Sequence, residues 1–455
     1  MNWRRWKPTA EQPWNTRRVV HLHRRAGFGA TWEQIQRDIR EGPDAAIDRV
    51  VAGLEDDARM DALTANLGDA AVGSNRPERL KAWWMLRIIK TPFPLREKLT
   101  LMWHNHFATS NEKVRSLAAM KRQNERLHQN AAGRFDDLLT AIAKDPAMLI
   151  WLDAASNKKG RPNENLSREI MELFSLGIGN YTELDVREAA RALTGWGIDR
   201  EGEFHFNQHD HDHGTKTILG QTGRWNGDDL LRILIEQPAT SDRIAWRLSG
   251  TLMGEGVVTT EMRNSLSATL RKHNLHIGKA VEMMIRSEAF FADENVGSQI
   301  SSPVEFVASA VRSLDYIRPS TVRLAGWAKE LGQDLFYPPN VGGWVGGRNW
   351  LSSRYVIGRA NFASALSDGR IEGARAVRDD AAAPNLAGLV RRRLSGKADL
   401  VVAVPFLCEL LLGNRLPTEI NDELIATLRA RPEGLERQLR LAVSLILSLP
   451  QAQQS

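Results

Sequence analysis

The stretch "HFNQHDHDHGTK", His205 to Lys216, sets four of the chain's 11 histidines beside two aspartates. Imidazole and carboxylate together form the hard nitrogen and oxygen donor set of a divalent metal such as Zn, Mn, Fe or Mg. An extended backbone would place His205, His209, His211 and His213 on one face, with Asp210 and Asp212 on the other. A turn at Asp210–Gly214 would instead let one histidine and one aspartate converge. A surface loop with incidental histidines is the competing reading, and these residues alone do not separate the two.

Three neighbouring segments could complete such a centre. In "ENLSREIMELFSLG", helical spacing puts Asn165, Glu169, Glu172 and Leu176 in one stripe. Carboxylates at i and i+3 suit metal ligation or general acid–base work, with Arg168 at hand for an anionic substrate group. The plainer reading pairs Glu172 with Arg168 at i+4 and leaves Glu169 as a solvated or capping charge. In "ELDVREAARALTGW", Asp185 and Glu188 flank an apolar face. Thr182 to Asp185 also has the form of a capping box, which needs no chemistry from Asp185. Arg191 lies off the apolar face and suits clamping a carboxylate, and Lys216 is a further cation. In "MWHNHFATS", His104 and His106 sit about 200° apart on a helix, so one of them is expected inside. His106 is that candidate, against the alternative of an interior histidine bonded to a carboxylate.

The elements that must carry these groups read as helices almost throughout. "TWEQIQRDIREG" has Thr31 as N-cap and Gly42 as stop; "RPERLKAWWMLRIIKTP" has the periodicity of a buried helix. Residues 200–222, with their glycines and alternation, break the pattern. The predicted class is all-α: a multi-helix globular array with one small β-hairpin or extended excursion near 200–222. Residues 1–370 are expected to form the main helical domain and 371–388, small and charged, a linker. Residues 389–455 are expected to pack back on the main domain as three helices.

Composition narrows the function. Sixty-one basic residues face 55 acidic ones over 455 positions, a net +6 without a like-charge block, so no dedicated nucleic-acid reader is indicated. The single cysteine excludes an internal disulfide and a multi-cysteine zinc site, and Cys408 reads as core. No stretch has the apolar length of a membrane span. The basic N-terminus lacks the apolar region of a secretory signal, so a cytoplasmic protein is expected, with an export signal hidden by a misassigned start as the alternative.

Through these residues the chain resembles the DUF1800 family of uncharacterised bacterial proteins. The likeness runs through "HLHRRAGFGAT", "REKLTLMWHNHFATS", "NENLSREIMELFSLGIGNYTELDVREAARALTGW", "HDHGTKTILG", "YPPNVGGWVGG" and "GRANFASAL". The resemblance singles out Asn105, His106, Phe107, Asn165, Arg168, Glu169, Glu172, Asp185, Glu188, Arg191, His211, Asp212, Gly214 and Lys216. It leaves His205, His209 and His213 as peculiarities of this chain. It thereby favours a mixed centre, with metal ligands drawn from His106, Glu172, Asp185, Glu188, His211 and Asp212, over a four-histidine face. It also implies a DUF1501-like partner, because the two families are often encoded side by side. Two functions follow as expectations. One is a metal-dependent hydrolytic or oxidative enzyme, with Glu169, Glu172, Arg168, Arg191 and Lys216 in catalytic roles. The other is a binding or assembly protein in which these residues form a buried polar network and "NVGGWVGGRNW" meets a partner.

Overall fold

Proline at the first turn starts many of the helices, where its missing N–H is no loss and its fixed φ is already helical. Pro77–Lys90, Pro94–His106, Pro238–Leu252 and Pro303–Ser313 all begin this way. Thr31 and Gln34 close a capping box at the start of Trp32–Glu41, and Thr182 and Asp185 close another at Glu183–Ala192. The computed structural model describes residues 2–54, 58–316, 319–372, 384–394, 399–431 and 433–455. It is mostly helical, with only two small antiparallel two-stranded sheets among the described residues.

The helices enclose two apolar cores. One gathers Phe135–Ala143, Gly227–Glu236, Pro238–Leu252 and Ile277–Ile285. The other gathers Pro77–Lys90, Pro303–Ser313 and Ser353–Ser367 with the C-terminal helices. Pro94–His106 stands between them, giving Leu95, Leu99, Met102 and Trp103 to the first and Leu101 to the second. Burial on all sides explains why this helix carries few polar residues without a partner. Both of its terminal histidines are buried, at 1% (His104) and 5% (His106), which corrects the expectation that one would face out. A flank of aromatic rings on each side makes the second burial possible. His104 lies against Trp84 and Phe336, and His106 against Trp103 and Phe107.

The C-terminal part has four described helices where three were expected: Leu386–Leu394, Leu400–Leu412, Thr418–Arg429 and Leu435–Ser448. Leu435–Ser448 packs on Ser353–Ser367, and Leu400–Leu412 packs on Thr16–Arg25. Cys408 is buried in that packing. Residues 373–383 of the expected linker lie outside the described residues. Among the described residues, no helix is long and apolar enough to cross a membrane.

The excursion after Trp196 is two hairpins. Strand β1 (Trp196–Ile198) pairs with β2 (Phe204–Phe206), and β3 (Lys216–Ile218) pairs with β4 (Gln221–Gly223). Gly195 closes the first at φ +84°, where an added Cβ would stand 2.4 Å from the Asn207 carbonyl oxygen. His205 lies in β2, and the rest of the histidine run passes between the hairpins through a short 3-10 turn at Gln208–Asp210. It is therefore not extended, and no four-histidine face forms. His211 is buried while His205, His209 and His213 are exposed.

Candidate functional site

The helix Glu183–Ala192 and strand β3 pack together, and their polar side chains meet at one guanidinium. Arg191 Nε donates to Asp212 Oδ2 at 2.8 Å, and its Nη1 donates to Glu188 Oε2 at 2.7 Å. A further bond reaches the Thr215 carbonyl at 3.1 Å. Bonding to Arg191 holds the Asp212 carboxyl down at about 2. Glu188 also accepts the Thr217 N–H, tying the helix to β3. Asp185 caps its own helix and accepts the Leu219 N–H at 2.7 Å. Lys216, 1% exposed, donates to the carbonyls of Asp212 and Gly214. Burial is the main reason its ammonium pKa falls.

His211 sits at the edge of this cluster. Its Nδ1 faces the Thr194 carbonyl at 2.9 Å, so a neutral ring carries its proton there and leaves Nε2 as an acceptor. Burial lowers its pKa, which keeps the ring neutral. The His213 ring lies edge-on with its centroid 4.9 Å away. Thr194 completes the local frame by accepting the Asp212 N–H at 2.8 Å.

The remaining candidates fall elsewhere. Arg168 pairs with Glu164 and Glu183 and not with Glu172. Just beyond it Ile170–Ser175 forms a π-turn, in which the Leu176 N–H meets the Met171 carbonyl at 2.8 Å. Within it Glu172 accepts the Tyr181 hydroxyl at 2.5 Å. Glu169 is half-buried, and burial together with the Glu172 charge raises its pKa. No hydrogen bond or ion pair among the described residues joins Glu169 or Glu172 to His106 or His211. His106 Nε2 meets the Phe174 carbonyl at 3.0 Å, and burial drives its pKa well down. The structure thus brings Asp185, Glu188, Arg191, His211, Asp212 and Lys216 into one neighbourhood and sets Arg168, Glu169, Glu172 and His106 apart. Among the described residues no three His, Cys, Asp or Glu side chains are grouped as a metal would require.

A second polar site lies in a cleft of about 250 Å³ beside the glycine–tryptophan loop. Asn105, from the end of Pro94–His106, fixes that loop. Its Oδ1 accepts the Trp344 N–H at 2.6 Å and its Nδ2 donates to the Trp344 carbonyl at 3.2 Å. Gly343, at φ +76°, passes so close that a Cβ would meet Asn105 Oδ1 at 2.1 Å. Trp246, Trp344 and Trp350 line the cleft together with Arg247, Gln333 and the Lys98–Glu305 pair. Lys98 Nζ stands 2.6 Å from Glu305, and although burial raises that carboxyl pKa, the ammonium holds it below its ordinary value. Trp344 stood out in the sequence; Arg247, Gln333 and Lys98 did not. The one available signal was the adjacent indole and guanidinium of "AWRLSG", which surface helices also carry.

A many-helix array with paired polar side chains at a double hairpin, and an indole-lined cleft on its flank, is the class that the fold and site define. A family model described as "Protein of unknown function (DUF1800)" matches residues 21–454, and the chain belongs to that family. No curated protein and no solved structure matches it.

Proposed function

We propose that this chain works by binding, with its histidine and carboxylate cluster serving as structure and the cleft beside the glycine–tryptophan loop as the binding site. One observation carries the reading: Arg191 bridges Glu188 and Asp212, so these two carboxylates of the cluster already have their cation. A metal ion there would have to displace a guanidinium held by several charge-assisted bonds. Asp185 is likewise used as a cap. A DUF1501-like protein is the partner that the family resemblance implies, and co-purification of the two chains would report it.

A metal-dependent hydrolytic or oxidative enzyme is the second reading. The orientation of His211, whose Nε2 meets no protein partner among the described residues and which has His213 beside it, favours it. Elemental analysis of protein purified without a histidine tag separates the two. The binding reading expects only trace transition metal, unchanged in His211→Ala. Stoichiometric metal that His211→Ala removes would establish the enzyme reading instead.

A further inference from the structure

We infer that the cleft takes a small organic anion carrying a carboxylate or phosphate on a ring, an inference that rests on the binding reading above. The walls carry several donors that meet no protein acceptor among the described residues. Arg247 donates once to the Met102 carbonyl at 3.3 Å, its Nε has no partner, and no carboxylate pairs with it among the described residues. Gln333, 4% exposed, accepts the Val304 N–H through Oε1, while its Nε2 meets no protein acceptor among the described residues. The same holds for the indole N–H groups of Trp344 and Trp350, which are 7% and 6% exposed. Glu305, the one carboxylate lining the cleft among the described residues, is neutralised by Lys98 and also lies in the field of Arg24, Arg25 and Arg359.

A net positive field with unpaired donors selects a negative ligand. A partly buried guanidinium whose Nε is buried without a partner is a cost to the fold that an incoming oxyanion would relieve. The indoles add a second requirement, since flat aromatic walls gain most from a ring laid against them. The volume of about 250 Å³ admits one small ring and little more. A hydroxylated ring acid and an aromatic acid share this chemistry.

Tryptophan fluorescence titration of the full chain tests it, with D-glucuronate and benzoate as ring-bearing anions, D-glucose as the uncharged ring and acetate as the ringless anion. At least one of the first two should bind about tenfold or more tightly than both controls, as one charge-assisted contact implies. Arg247→Gln should abolish that preference while leaving the melting temperature unchanged or raised, an outcome that a purely structural arginine would not give. Val345→Glu, at an 88% exposed position on the rim, should weaken the anion roughly threefold to tenfold without touching the fold. Equal binding of glucose, no binding of either ring acid, or full binding in both variants would overturn the inference. A bound neutral ring would still leave the binding reading intact, whereas stoichiometric metal would end that reading without changing the titration.

Discussion

Arg191 is the residue on which most of the polar cluster converges. It is only 27% exposed, and both of its carboxylates are less exposed than it is, so solvent screens the pairs incompletely. Arg191→Met should cost about 1–2 kcal/mol, more than a surface pair is worth, measured as a shift in the urea midpoint. A smaller effect would mean that the cluster is decorative. The pH dependence follows from Asp212, whose carboxyl stands at about 2 in the fold against an ordinary 3.8. A depressed folded value contributes stability that is present above the unfolded pKa and lost as pH falls through the folded one. Thermal scans between pH 5 and about 2 should therefore show a loss that Asp212→Asn flattens. The pairing of Arg191 with a carboxylate was legible in the sequence, as was the use of Asp185 as a cap, because both depend on local helical spacing. The choice of Asp212 as partner was not legible, since it depends on how the chain returns after the hairpin.

Elements follow the same division. Helix starts were legible wherever proline, threonine or serine marks the first turn. The π-turn at Ile170–Ser175 was not: over six residues its spacing cannot be told from an ordinary helix by apolar periodicity. Glu172 within it bonds Tyr181, while Arg168 before it bonds Glu183. The excursion was legible as a small hairpin or extended stretch, yet its division into two hairpins turns on Gly195 and on a short 3-10 turn. At the glycine–tryptophan loop the decisive contact is between Asn105 and Trp344, residues 239 apart. Asn105→Ala should release the loop, visible as a change in near-ultraviolet circular dichroism with the helical signal retained. Gly343→Ala should do the same and cost about 1–3 kcal/mol, because a side chain there is strained by φ and by contact. Loss of helical signal in either variant would mean that the loop supports the cores as well as the cleft.

The whole molecule is arranged around buried cations. Lys98, Arg25 and Arg359 are all at 2% exposure or less, and Glu305, paired with Lys98, offsets the charge of all three. Removing that carboxylate should leave Lys98 uncompensated. Glu305→Gln is expected to destabilise by about 3–5 kcal/mol in chemical denaturation. The all-α class was legible because periodicity accumulates over many helices; the cleft was not, because its walls come from distant segments.

The central claim is that paired side chains, and no metal ion, hold the histidine-rich region. Thermal unfolding of untagged protein before and after exhaustive chelation tests it most directly, since a metal bound only to the folded state must raise its stability. Identical melting temperatures are the expected result. A lower melting temperature after chelation, restored by adding back one divalent metal and insensitive to it in His211→Ala, would contradict the claim.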